Sequence, residues 1–211
     1  MRSDPPRAEI PTIASLPLEI ATPRLKLRPV REDDVEDLWP WVSDPRLPRH
    51  MSWKAHVDRD ETRTWLRATA QEVAANLGIA WAIVHEGRAS GVVGLDSVRW
   101  QMRALRIDRA ELGYWIAPPL WGHGLMTEAA QAVVQFGFET LGLHKIVVQC
   151  FAENDASRRV IEKCGFRMVG RQEDDIWRDG AWHAHLRYEM TAGEHADTTA
   201  TRRFTRDKTS T

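Results

Sequence analysis

Leu25 and Leu27 alternate with Arg24, Lys26 and Arg28, the period-two pattern of a half-buried strand over 24–30. Val35, Leu38, Trp39 and Val42 then recur at helical spacing, with Asp33 or Asp34 as the cap and Pro40 placed to kink or divide the helix. A second helix over 61–77 is predicted from Leu66, Ala70, Val73 and Leu77, capped by Asp60 and ended by Gly78. Residues 79–86 and 91–100 read as an antiparallel hairpin, 101–109 as a polar connector, and 110–118 (AELGYWIAP) as a strand stopped by Pro118 and Pro119. A helix over 127–141 follows and ends at Gly142. The apolar run 144–152 predicts a strand buried on both faces. Asn154 or Asp155 caps the next helix, which ends at Gly165, and two long strands meet at 178–180 as a hairpin. Strand 110–118, helix 127–141 and strand 144–152 make a βαβ unit, so those two strands are expected to be parallel neighbours. The sum is a mixed sheet with helices on both faces.

The 211 residues suit one domain. Residues 1–20 are rich in proline and without periodicity, so they read as an N-terminal arm; 21–191 hold the domain. Beyond Thr191 apolar residues nearly vanish, which predicts a disordered tail over 192–211. A formal charge of −1 gives no field to recruit nucleic acid or an anionic membrane, and no apolar run reaches the ~18 residues that span a bilayer. The first twenty residues lack the apolar core of a signal peptide. Cys150 and Cys164 sit in apolar contexts and read as buried thiols of a reducing compartment, which points to the cytoplasm. Of ten tryptophans, Trp53 and Trp121 stand in loops where aromatic pocket walls are found.

The chemistry concentrates in 118–130, PPLWGHGLMTEAA. Gly122 and Gly124 flank His123 after a strand and before a helix, where free N–H groups and the helix dipole favour an anion. A plain tight turn fits the same residues. A dinucleotide fingerprint needs a third glycine where Thr127 stands, and the Gly-Lys-Ser/Thr of a P-loop is absent.

Taken together, YWIAPPLWGHGLMTEA and CFAENDASRRVIEKCGF resemble the GNAT superfamily of acyl-CoA-dependent N-acetyltransferases. TPRLKLRP, RHMSW, AELGYWI, FGFETLGLHKI, NDASRRVIEKCGF and DGAW resemble in particular its Rim-type subgroup, which acetylates the N-termini of ribosomal proteins; the resemblance spans about residues 22–191. It implies an α/β (α+β mixed) GNAT fold: a central, mostly antiparallel sheet of about seven strands, helices on both faces, and a splayed parallel pair holding CoA.

The resemblance further implies that the backbone of Trp121, Gly122, His123, Gly124, Leu125, Met126 and Thr127 holds the pyrophosphate of acetyl-CoA. Tyr114, Trp115 and Ile116 would pair with the pantetheine amides, and Asn154, Ser157 and Arg159 would complete the cofactor site. Asn154 is equally an N-cap, and Arg158, Arg159 and Lys163 equally a solvated helix face. Glu111 matches the family's general base and Ser157 the hydroxyl near the sulfur; His50, Met51 and Trp53, with Glu111, would line the acceptor pocket. Glu128, in the first turn of the phosphate-facing helix, would repel phosphate and is expected to point away as a structural residue. Two positions depart from the pattern. Pro119 replaces a Gln or Arg common three residues before the first loop glycine, and Ala184 stands where the subgroup often has Asp. His183 and His185 share a strand face with no third ligand in the pattern, so no metal is expected.

The expected activity is acetyl transfer from acetyl-CoA to a primary amine on a peptide, a protein N-terminus or a small molecule, by a monomer or homodimer. A non-catalytic acyl-CoA-binding module is the competing reading. A nucleotide-binding Rossmann protein is disfavoured by Thr127 and by the antiparallel strands.

Overall fold

Four hairpins, two further antiparallel pairings and one parallel pair generate the whole sheet. The computed structural model describes residues 5–198. Strands β1 (Ile20–Ala21), β2 (Lys26–Pro29), β3 (Ile79–His85), β4 (Arg88–Met102), β5 (Leu105–Ile116), β6 (Lys145–Phe151), β7 (Arg167–Arg178) and β8 (Ala181–Thr191) form one sheet in the order β1-β2-β3-β4-β5-β6-β8-β7. This is one more strand than the expected seven, the extra one being the two-residue edge β1. Only β5 and β6 run parallel, and only Arg109–Glu111 pair with Lys145–Val147.

Side-chain alternation sorts the sheet into two faces. Ala80, Ala82, Val92 and Trp115 lie under α1 (Val35–Val42) and α2 (Arg59–Ala74). Trp81, Val93, Leu95, Ile146 and Tyr188 lie under α3 (Leu125–Gln135) and α4 (Asp155–Cys164). Helices therefore cover both faces, as the pattern predicted.

Several local expectations change. Residues 101–109 are not a connector: β4 runs to Met102 and β5 starts at Leu105, since Arg103 adopts φ 56° and closes a two-residue hairpin turn. β6 buries Ile146, Val148 and Cys150 on one face but leaves Gln149 exposed on the other, where it lines an open cleft. The cap of α2 is Asp58, which accepts from Glu61 N at 2.8 Å, rather than Asp60. Pro40 lies inside α1 without dividing it, near the helix end, where few backbone bonds remain to lose.

The N-terminal segment is fastened to the domain. Ile13 is 0% exposed in the main core, its N–H donates to Asn76 Oδ1 (2.8 Å), and Asn76 Nδ2 donates to Pro11 O (3.0 Å). Trp81 Nε1 donates to Leu18 O at 2.6 Å. The expected disorder beyond Thr191 is corrected over 192–198, which are helical (α5). Thr191 and Glu194 form a reciprocal cap: Thr191 N–H donates to Glu194 Oε2 (2.8 Å) and Glu194 N–H to Thr191 Oγ1 (3.3 Å). His195 stacks on Phe138 at 4.9 Å. Low apolar content hid a helix held by its cap, the stacking of His195, the Arg167–Glu194 ion pair (3.1 Å) and the Ala192 N–H donated to His144 O (2.9 Å). The remainder of the expected tail, 199–211, lies outside the described residues.

Ile13→Ala removes a fully buried side chain from a closed core and is expected to cost about 2–5 kcal/mol of stability, read by urea denaturation. A change below about 0.5 kcal/mol would mean the segment is not part of the cooperative unit.

Candidate active site

Beyond Glu111 and Val147, β5 and β6 part company. β5 stays paired with β4 as far as Ile116, while β6 stays paired with β8 as far as Phe151. The gap opens into a cleft of about 1220 Å³ that passes from one face of the sheet to the other.

On the α3/α4 side the cleft meets the glycine loop. Gly124 is the N-cap of α3 with φ 76°, a left-handed conformation that costs other residues about 1–2 kcal/mol, and it supplies no side-chain cap. The first N–H groups of the helix are thus left without intrahelical partners, at the positive end of the dipole. Trp121, Gly122, Gly124, Met126 and Thr127 line the cleft. His123 and Leu125 do not line it with their side chains. Leu125 is buried in the core, and His123 turns its carbonyl to Arg24 Nη1 (2.9 Å). Glu128 points away from the loop, as expected. Its carboxylate accepts from Arg24 Nε (2.6 Å), Arg24 N–H (2.9 Å) and Thr22 Oγ1 (2.7 Å). Arg24 therefore neutralises Glu128 and holds the loop at once.

The second helix N-terminus faces the same side. Asn154 Oδ1 accepts from Ser157 N–H at 3.0 Å, so Asn154 is an N-cap whose amide N–H groups are not used by the cap. Arg159 and Lys163 line the cleft, whereas Arg158 pairs with Asp155 at 2.8 Å. Tyr114 and Ser157 meet across the gap with their hydroxyl oxygens 2.8 Å apart. Burial pushes the Tyr114 phenol well above its ordinary range, so it stays protonated. The sequence marked only the backbone of Tyr114; alternation sends its side chain to Ser157. Burial also pushes the Cys150 thiol up to about 11, so it is no thiolate nucleophile at neutral pH. Trp121 Nε1 donates to Ile116 O at 2.8 Å and occupies one backbone acceptor assigned to the pantetheine.

On the α1/α2 side, Glu111 and Trp115 line the cleft beside His50, Met51 and Trp53. Trp53 stands edge-on to Trp115 at 6.3 Å, and His50 lies 5.9 Å from Phe151. Burial lowers the pKa of His50 and favours the neutral ring. Arg178, at the end of β7, donates to the carbonyls of Met51 and Trp53 and so ties this loop to the β7–β8 hairpin. Nothing near Arg178 in sequence signals that contact across more than a hundred residues. His183 bonds Glu153 Oε1 at 2.8 Å, and among the described residues no group of three or more His, Cys, Asp or Glu is arranged to hold a metal.

The sequence reading did not mark Asp96 or Glu72 and weighed His185 only as a metal ligand, yet all three line the cleft. Asp96 stands directly opposite Glu111 in the β4–β5 register. Its residue surface is exposed at the cleft, while protein atoms crowd the carboxylate itself. Desolvation by those atoms, then Glu72 and Glu111, pushes its pKa up to about 6.

Residues 24–167 match the family described as acetyltransferase (GNAT) domain. The chain belongs to the GNAT acetyltransferase family and is an N-acetyltransferase of that type. It is 28% identical over 163 residues to an uncharacterized N-acetyltransferase, YoaA, of Bacillus subtilis, covering 76% of this chain and 89% of the relative. It is 24% identical over 149 residues to the ribosomal-protein-serine acetyltransferase of Escherichia coli, covering 69% and 80%. Among solved structures, Mycobacterium smegmatis RimJ in complex with a CoA disulfide superposes with a TM-score of 0.72 at 27% identity, covering 81% of this chain and 83% of that one. Among the described residues no helix is long and apolar enough to cross a membrane.

The raised pKa of Asp96 has a signed consequence. An unfolded Asp titrates near ~3.9, so ionisation of Asp96 costs the native state stability that is intact below about pH 4 and lost as the pH passes about 6. Asp96→Asn is expected to raise Tm at pH 8 and to lose that gain toward pH 4.5 in thermal unfolding. An equal effect at both values would refute the shift.

Proposed function

We propose that the protein transfers the acetyl group of acetyl-CoA to a primary amine, the α-amino group of a protein, peptide or amino-acid-like acceptor. The observation that carries this reading is the gap between β5 and β6, which joins the Tyr114–Ser157 pair on one face to Glu111 on the other. CoA chemistry fits the donor side. A polyanionic pyrophosphate suits an uncapped helix N-terminus with a left-handed glycine, and an amide-rich arm suits strand edges that have lost their neighbour. RimJ is named as bound to a CoA disulfide, and the Escherichia coli relative is named for ribosomal-protein serine acetylation; both support the direction of the reading.

In this mechanism the backbone of 121–127 holds the pyrophosphate and α4, with Asn154 and Arg159, holds the arm. Glu111 takes a proton from the acceptor ammonium, directly or through water, and the neutral amine attacks the thioester carbonyl. A C–N bond forms and the C–S bond breaks. Ser157, in contact with the protonated Tyr114 hydroxyl, is placed to donate a proton to the departing sulfur and to be reprotonated by the proton the amide nitrogen sheds. The products are the acetamide and CoA thiol, with one proton released to solvent. His50, Met51 and Trp53 grip the acceptor.

Mass spectrometry of peptides and amines incubated with enzyme and acetyl-CoA, with free thiol measured in parallel, tests the reading. Acetylated product with stoichiometric thiol is expected. Binding of acetyl-CoA without thiol release from any acceptor would favour a non-catalytic acyl-CoA-binding module. Glu111→Gln is expected to lower kcat/KM by about 10²–10³-fold. The loss should be largest at low pH, where little free amine exists. A wild-type-to-variant ratio that is flat across pH would remove the base role.

A further inference from the structure

The acceptor end of the cleft holds more negative charge than a single ammonium needs. Asp96 and Glu111 face each other across β4 and β5, and Glu72, in the last turn of α2, lines the same space. None of the three has a cationic partner among the described residues, and the dominant charges on Asp96 are the two other carboxylates. Like charges directly opposite in a sheet destabilise it. The backbone nevertheless makes room for this arrangement. Gly94 and Gly113 are cross-strand partners, and a Cβ at Gly113 would stand 2.7 Å from Asp96 Oδ2, while one at Gly94 would stand 3.1 Å from Oδ1. The carboxylate lies in the space two side chains would fill.

A second, independent feature sits at the other side of the gap. His185 is 7% exposed and lines the cleft, and neither ring nitrogen has a hydrogen-bond partner. Asp175 Oδ2 approaches Nδ1 at 3.4 Å, and Nε2 is buried without a hydrogen-bond partner. Burial favours the neutral ring against the pull of Asp175, Glu153 and Glu111, with Arg187 acting in the same sense as burial. A buried polar nitrogen is costly when unpaired, and a neutral imidazole offers a lone pair to an N–H donor. Trp53, Trp65 and Trp115 line the same cleft, and their ring faces attract cations.

We propose that the acceptor is a dication: its reacting ammonium sits at the strand gap between Glu111 and His185, and a second cationic group, an ammonium or guanidinium, is seated on Asp96 and Glu72. The inference rests on the acetyl-transfer reading and names the acceptor class within it. In a peptide the second charge is a Lys or Arg side chain near the N-terminus; in a small molecule it is the far end of a diamine.

Steady-state kinetics with matched acceptors test it. One arm compares short peptides carrying Lys or Gln at the second position, and the other compares 1,4-diaminobutane with n-butylamine. The wild type is expected to favour the dication by about tenfold or more in kcat/KM in at least one arm, which identifies the source of the charge. Added salt should shrink the preference. Asp96→Asn and Glu72→Gln, near-isosteric changes checked for folding by circular dichroism, should bring the ratio of dication to monocation toward one. A wild-type ratio near one in both arms, or a ratio that survives both substitutions, overturns the dication assignment while leaving acetyl transfer intact. If no acceptor in either arm is acetylated, the acetyl-transfer reading falls, and this one with it.

Discussion

The site depends on two parallel strands sharing hydrogen bonds for only three residues. β5 is held by β4 along its whole length and β6 by β8, so neither can follow the other once the sheet twists apart. The separation leaves two facing rows of backbone N–H and C=O groups that water or a ligand must satisfy. It also makes a passage through the sheet. Because side chains alternate, Tyr114 is delivered to the α3/α4 face and Glu111 to the α1/α2 face of one strand. A donor and an acceptor can approach from opposite sides and meet at the strand edge.

Charge is distributed to match that division. The α3/α4 side presents two helix N-termini, Arg159 and Lys163; the carboxylate in the first turn of α3, Glu128, is drawn off by Arg24 and Thr22, and Asp155 at the start of α4 is paired with Arg158. The acceptor side presents Glu72, Asp96 and Glu111 and the neutral imidazoles of His50 and His185. In the proposed reaction an anionic donor would meet the helix N-termini and a cationic acceptor the three carboxylates, with Arg46 and Arg49 at the cleft edge beside His50.

Much of the scaffold was legible because local periodicity is strong where an element covers a core. The alternation at Leu25 and Leu27, the helical spacing at Val35 to Val42 and the Asn154 cap all reflect contacts made within a few residues. Misreadings fell where tertiary contacts decide. A polar hairpin arm at 101–109 looks like a connector because its outer half packs on nothing. Residues 192–198 look unstructured because mostly polar contacts hold them: a cap, the Arg167–Glu194 ion pair, a backbone bond to His144 and the stacking of His195 on Phe138.

The sequence by itself determined the order of elements, the parallel pair flanking α3 and the motifs that resemble the GNAT pattern, since each is written in short-range spacing of apolar residues, caps and glycines. Only the tertiary structure decided which side chains share the cleft. Asp96 joins Glu111 through strand register, Tyr114 meets Ser157 across the gap, and Arg178 reaches the loop at 51–53 from the far hairpin. The physical reason is that register, twist and the point of strand separation are fixed by packing over the entire sheet, and no local run of residues encodes them.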